Sequence, residues 1–465
     1  MKKTLTSDEK KRLQGSVPEG VRRILDWARA ARGRVVVVGG SVRDLLLDRP
    51  GNDWDLATDL TPDRMREAFP RTIDAGSRFG TLLVPSGGGV FEVTTFRREE
   101  GYSDLRHPDR VHFTTSLEVD LARRDFTVNA MAWDPSDPES LIDPHGGAQD
   151  LQGRIIRAVG SPADRFAEDA LRILRAVRLA AQLGFTLEAQ TLAAMRESAA
   201  RVESLSGERV RDEFNKLLTA PSPSWGFQTL LEIGVLEILL PELVVCAGVT
   251  QNRFHAYDVF EHTLAATDKA PEENLVVRLA TLFHDIGKPA TRTEEDGEVH
   301  FYGHQFVSEK RADGIMRRLK YSNEERRKVK HLVRHHMFFY QPEWTDSAVR
   351  RFIREVGLES VSDLFALRKA DTAGSGKTRA DASGKLQELW DRVQRVLEKD
   401  NAFSVRDLAV GGKDVMEALG VGPGPVVGDA LNHLLERVLE DPDTNTREGL
   451  LAELARWGAS RVGTP

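Results

Sequence analysis

Apolar and polar positions change rhythm along the chain. Up to about residue 150, short apolar runs alternate with polar turns; from Gly153 onward apolar positions recur at the helical period. Residues 20–33 carry an amphipathic helical pattern leading into Val35–Val38, four β-branched residues that favour a strand. Gly39 and Gly40 follow as a tight turn, and Ser41 is placed to cap a short helix over Val42–Leu47. Thr61–Phe69 predicts another short helix, with Thr61 as N-cap and Pro62 at its first position. Gly80–Val84 and Val90–Phe96 read as strands. Arg97–Phe113 is polar, holds Gly, Pro and paired opposite charges, and is expected to be a mobile loop. Further on, Ser206–Leu218 and Gln228–Leu239 read as helices, separated by Pro221, Pro223 and Gly226.

Composition narrows the class. A chain of 465 residues holds two to four domains, and its single cysteine, Cys246, excludes an internal disulfide and suits a reducing cytosol. No apolar run approaches the ~20 residues of a membrane span, and the N-terminus lacks the apolar core of a signal peptide, so a cytoplasmic protein with no membrane partner is expected. At a net charge of −7, any nucleic-acid surface must be concentrated on one side.

Candidate chemistry begins at the Gly-Gly turn. It aims backbone N–H groups and the positive end of a helix at whatever binds there, and Arg43 adds a charged fork; a phosphate suits both. Asp53 and Asp55 follow, two apart, so on a strand both carboxylates share a face while Trp54 turns away. Two co-facial carboxylates beside a substrate phosphate suit Mg²⁺. Glu92 is either a third carboxylate there or a strand-surface glutamate.

Taken singly these parts are common. Their order, GGSVRDLL and then DWD, with RRDFTVNAMA at 123–132, LIDPHGGAQDL at 141–151 and EDALRILR at 168–175, resembles the class II CCA-adding enzymes and bacterial poly(A) polymerases. The resemblance runs from about residue 25 to 455. It implies an α+β protein: a DNA polymerase β-like nucleotidyltransferase head of mixed sheet and helices (1–150), an all-helical neck for base selection and RNA binding (151–245), an HD domain (246–395) and a helical tail (396–465). It also implies catalysis by Asp53 and Asp55 holding Mg²⁺. Gly39, Gly40, Ser41, Arg43, Arg124 and Asp125 would bind the nucleotide, with Asn129 in support.

The neck motif has its own chemical reason. Six arginines (154, 157, 165, 172, 175, 178) meet three acids between Arg154 and Arg178, and on a continuous helix Asp169 and Arg172 would be neighbours. An Asp accepts and an Arg donates, so side by side they match the amino group and ring nitrogen shared by cytosine and adenine, and mismatch uracil and guanine. By resemblance Asp169 and Arg172 read the base, while Arg175 and Arg178 support them or bind phosphate.

A second constellation, His262, His284, Asp285, His304, His335, His336 and Asp371, falls in the order of the HD phosphohydrolases. Histidine and aspartate ligands suit one or two divalent transition metals. Phosphatase or phosphodiesterase activity on RNA ends and a purely structural role both remain open. The SGKT at 375–378 lacks a preceding strand and the first glycine of a phosphate loop. The expected function is template-free addition of C and A from CTP and ATP to the tRNA 3′ end with release of pyrophosphate. CC-only, A-only and poly(A) addition stand as alternatives within the class, and an HD-type phosphohydrolase or nucleotide-signalling enzyme outside it.

Overall fold

In the computed structural model, which describes residues 2–49, 54–101, 109–251, 256–377, 380–400 and 402–462, the run Val35–Val38 is buried on both faces. That explains a continuous apolar run where a half-exposed strand would alternate. Its sheet contains β1 (Lys2–Thr4), β2 (Val35–Val38), β3 (Asp55–Thr58), β4 (Ile73–Asp74), β5 (Thr81–Ser86) and β6 (Gly89–Thr95). A separate antiparallel pair, β7 (Arg97–Glu100) and β8 (Arg110–Phe113), precedes its last two strands, β9 (Ala132–Trp133) and β10 (Ser140–Ile142). The order across the main sheet is β1-β10-β9-β2-β3-β6-β5-β4. β2 pairs antiparallel with β3, and β3 pairs parallel with β6. Val36, Val38, Ala57 and Phe96 pack with Leu117 and Leu121 of the helix Leu117–Ala122 on one face.

Three expectations change. The helix after the Gly-Gly turn spans Gly40–Leu46 with Gly39 at its N-cap, so Ser41 lies inside it and caps nothing. Its Oγ instead accepts the Asp55 N–H at 2.8 Å, because the turn brings β3 within reach of a short hydroxyl. The stretch 97–113, expected to be loop, is laddered at both ends by β7 and β8; residues 102–108 lie outside the described residues. The neck motif is not one helix: Pro162–Glu168 ends at Asp169, whose backbone is extended (φ −149°), and a new helix runs Leu171–Leu183.

The chain divides into two compact units, residues 1–241 and 242–465, so head and neck share one and the histidine region and tail share the other. The second is helical apart from a small hairpin, Arg292–Glu295 with Glu298–Phe301. Among the described residues no helix is long and apolar enough to cross a membrane.

Candidate functional site

Gly39 holds φ +70°, a conformation that glycine adopts without strain. A Cβ there would lie 2.8 Å from Arg124 Nη1 and 3.4 Å from Asp55 Oδ2, so the turn, the second arginine of RRDFT and the strand carboxylate meet at one point. Asp55 is exposed at the start of β3, and Glu92 stands opposite it in the parallel register. Burial, then the Asp55 charge, raises the Glu92 carboxyl above its ordinary range. Two adjacent carboxylates that resist joint ionisation fit a divalent cation, whose charge would answer both. Asp53 lies outside the described residues. A cleft of about 240 Å³ opens here, lined among others by Asp55, Glu92, Thr81, Arg97, Arg123 and Arg124.

The Gly39 N–H donates to the Met131 carbonyl at 3.2 Å and so is already used within the fold. Arg43 differs from a fork aimed at phosphate. Its Nε and Nη2 each donate to Asp44 at 2.8 Å, and its Nη1 donates to Asn129 Oδ1 at 2.6 Å. It therefore braces the turn against the RRDFT segment. Asn129 donates to Asp125 Oδ1 at 3.2 Å, and Asp125 Oδ2 accepts from Arg175 Nε at 2.9 Å and Nη2 at 2.6 Å. Burial would raise Asp125, but the Arg175 guanidinium prevails and holds it well below the usual carboxylate range. Arg178 donates to Glu213 Oε2 at 2.5 Å. A bonded chain thus runs Arg43–Asn129–Asp125–Arg175, from the Gly-Gly turn into the neck.

Asp169 and Arg172 are near in sequence but do not pair with each other. Asp169 Oδ1 accepts the Leu171 N–H at 3.0 Å, and its Oδ2 is held by Arg209 Nη2 at 2.7 Å. Arg172 is held by Glu168 and by the Arg165 carbonyl. The helix break at Asp169 turns its carboxylate towards the helix Gly207–Leu218, which carries Arg209 and Glu213 one turn apart on one face. Arg209, Glu213 and Glu168 are thus structural partners the motif did not single out. The i,i+4 spacing of 209 and 213 opposite a basic patch was the available signal.

In the second unit, His262, His284, Asp285, His304, His336 and Asp371 converge, all buried. His262 Nε2 lies 3.1 Å from Asp371 and 3.4 Å from Asp285, and His284 Nε2 lies 3.1 Å from Asp285. His304 Nε2 lies 3.3 Å from Asp285 and 3.2 Å from His336 Nε2. Each Nδ1 faces a backbone carbonyl: His262 to Gly374, His284 to Thr281, His304 to Phe301 and His336 to Val333, at 2.6–3.2 Å. A carbonyl only accepts, so each Nδ1 carries the proton, and a neutral ring then turns its Nε2 lone pair inward. Lone pairs facing carboxylates and each other repel unless cations sit among them. Two ligand groups result, His262–His284–Asp285 and Asp285–His304–His336, sharing Asp285. With only protons to answer these charges, the Asp285 carboxylate overrides burial and lifts His284 to about 10. Lys288 Nζ also reaches Asp285, at 2.6 Å. His335 does not join: on the neighbouring face of its helix end, it packs on His331 and looks towards Glu355 at 3.9 Å.

Known proteins match this organisation. Residues 35–157 match the family model described as poly A polymerase head domain, 184–246 the probable RNA and SrmB-binding site of polymerase A, and 292–454 a putative tRNA nucleotidyltransferase domain 2. An A-adding tRNA nucleotidyltransferase of Deinococcus radiodurans is 36% identical over 447 residues, covering 92% of this chain and 96% of the relative. A CCA-adding enzyme of Streptococcus mutans is 33% identical, covering 92% and 94%. The crystal structure of the Bacillus stearothermophilus CCA-adding enzyme in complex with CTP superposes with a TM-score of 0.73 at 29% identity, covering 98% of this chain and 99% of that one.

Proposed function

Because this chain belongs to the family of tRNA nucleotidyltransferases and CCA-adding enzymes, we propose that it adds C and A from CTP and ATP to the tRNA 3′ end without a nucleic-acid template. The observation that carries this reading is the meeting of Gly39, Asp55, Glu92 and Arg124 around one turn, with a bonded chain from Arg43 of that turn's helix to Arg175 of the neck helix that also carries Arg172.

The RNA 3′-oxygen attacks the α-phosphorus of the incoming triphosphate. The bond from that phosphorus to the β-phosphate oxygen breaks, the 3′-hydroxyl loses its proton, and pyrophosphate leaves. Asp53 and Asp55 would hold Mg²⁺, with Glu92 beside Asp55; when bound, the ion lowers the pKa of the hydroxyl and steadies the pyrophosphate. Gly40 leaves room for the triphosphate, and Arg124 lies where it neutralises phosphate charge. Arg43 and Ser41 hold the turn in place rather than touch the nucleotide. Asp169 accepts from the exocyclic amine of C or A and Arg172 donates to the adjacent ring nitrogen. Asp169 already accepts from the Leu171 N–H and Arg209, and Arg172 already donates to Glu168 and to the Arg165 and Arg123 carbonyls; a carboxylate's further lone pairs and a guanidinium's further N–H groups are what the base would use. Arg175 and Arg178 support the pair through Asp125 and Glu213.

The A-adding relative favours a second reading, addition of the terminal A alone. One assay separates them: tRNAs ending before C74, after C75 and at A76 receive CTP, ATP or both with Mg²⁺, and the products are sized. Completion of every shortened tRNA to one CCA end supports the first reading. A single A added only after CC supports the second, and unlimited A on any RNA refutes both.

The histidine–aspartate cluster supports a separate phosphohydrolase activity on RNA ends bearing 3′- or 2′,3′-cyclic phosphate. His262, His284, Asp285, His304, His336 and Asp371 would hold two divalent transition metals, which clamp a phosphate when bound. Phosphate release in Mn²⁺ or Ni²⁺, lost in Asp285→Asn, tests it; metal binding without any hydrolysis leaves a structural centre.

A further inference from the structure

A cleft of about 500 Å³ lies between the first turn of the helix His304–Arg318, the end of the helix Asn323–His335 and one face of the helix Asp346–Val356. None of its lining residues belongs to the head cleft around Asp55, or to the converging ligands His262, His284, Asp285, His304, His336 and Asp371. Four of its side chains are the aromatic rings of Phe306, Phe338, Trp344 and Phe352. Phe306 is 52% exposed, unusual for an aromatic side chain with no protein layer to cover, and the Arg334 guanidinium sits 5.2 Å from its ring centroid.

The cleft approaches the cluster at Phe338, two residues after His336, while Phe306 lies on the solvent side of the helix whose first residue is the buried His304. The Arg368 guanidinium stands 5.9 Å from the Phe338 ring centroid and pairs with Asp371 of the cluster. One arginine side chain therefore links the aromatic wall to the metal ligands. The cations of the cleft are already answered: Arg334 by Glu309 at 3.0 Å, Arg351 by Glu436 at 3.2 Å and Glu440 at 3.1 Å. A cleft with flat apolar faces and balanced charge does not select a phosphate. It selects a flat, uncharged, aromatic group whose phosphate is bound next door.

We infer that this cleft is the base-binding subsite of the histidine–aspartate centre, taking the terminal nucleobase of an RNA end whose 2′- or 3′-phosphate lies at the metals. Phe306 is its stacking face, with the Arg334 guanidinium beside it in the cleft wall, 5.2 Å from the ring centroid. The inference rests on the phosphohydrolase reading above and turns that centre from a general phosphatase into one that recognises nucleotides.

The test uses the full chain loaded with Mn²⁺. Adenosine 3′-phosphate is compared with glycerol 2-phosphate, an ester with no ring, in wild type, Phe306→Ala and Ala348→Trp, the last filling the cleft from the far wall. The expected result is a KM for adenosine 3′-phosphate raised about tenfold in both variants, with kcat and glycerol 2-phosphate hydrolysis unchanged. An equal effect on both esters, or no effect on either, overturns the subsite. If wild type hydrolyses neither ester, the hydrolase reading fails by itself. Equilibrium dialysis of adenosine 3′-phosphate then decides the cleft: binding weaker in both variants supports a base site beside an inert centre, and equal binding in all three proteins overturns it.

Discussion

At the scale of single residues, the identity of a side chain and the use the fold makes of it are different things. Arg43 and Ser41 are expected from the sequence to bind phosphate, yet one is bonded to Asp44 and Asn129 and the other to the Asp55 N–H. Asp169 is held by Arg209 from a separate helix. Removing that guanidinium frees the carboxylate to rotate, so Arg209→Ala should raise UTP incorporation relative to CTP about tenfold while CTP addition falls less, with partial recovery in Arg209→Lys. Primer extension with each triphosphate alone checks this, and an unchanged ratio removes the role. Glu92 gives a pH signature. Its folded-state pKa is raised above the 4.5 of the free group, so the fold disfavours its ionised form. Metal-free stability is undiminished below about 4.5 and is lost as pH rises through the raised value. Glu92→Gln should therefore melt higher than wild type at pH 7 without metal and converge with it near about pH 4, and Mg²⁺ should raise the melting temperature of wild type more than that of the variant. The motif residues were legible because few other chemistries need those types in that order. Their contacts were not, since Asp169 was read on a continuous helix that breaks at that residue.

At the scale of elements, strands and caps were the readable part. Val35–Val38, β5 and β6 were visible from β-branched and alternating runs, and Thr61 caps its helix by accepting the Arg64 N–H, with Pro62 at the first position. The pair β7 and β8 was hidden because β7 is made wholly of charged residues, half-buried through ion pairs such as Arg97–Glu99, and β8 is a short, mostly exposed strand, so no apolar period marks them. Ser41 joins two elements whose registry matters to the cleft. Ser41→Ala leaves the Asp55 N–H without that partner, at a cost of about 1 kcal/mol. The expected outcome is a modest drop in melting temperature with a larger fall in kcat than change in KM for CTP.

At the scale of the whole chain, the two units carry different clusters: carboxylates and arginines around Asp55 and Glu92 in the first, buried imidazoles and carboxylates around Asp285 in the second. Length allowed two to four domains and the family resemblance implied four; contacts gather residues 1–241, head and neck, into one compact unit and residues 242–465, histidine region and tail, into another. The tail does so through its own packing: Arg350 of the helix Asp346–Val356 binds Asp400 at 2.7 Å and the Leu439 carbonyl at 3.1 Å, long-range contacts that no local pattern announces. Independent units predict independent losses. Asp55→Ala should abolish nucleotide transfer and leave bound transition metal unchanged, whereas Asp285→Asn should lose that metal, measured by elemental analysis, and still extend tRNA. Joint loss of both properties in either variant contradicts the two-centre reading.

The hydrogen-bonded row Arg43–Asn129–Asp125–Arg175 has a kinetic meaning. If a base settled wrongly in the neck displaced Arg175, the row would carry that displacement to the Gly-Gly turn. Fidelity would then be a matter of timing: the wrong nucleotide would be admitted, wait too long to react, and leave. Cutting the row at Asn129→Ala should let mistakes react sooner, so that the gap between kcat for UTP and for CTP narrows while their apparent affinities stay as they were.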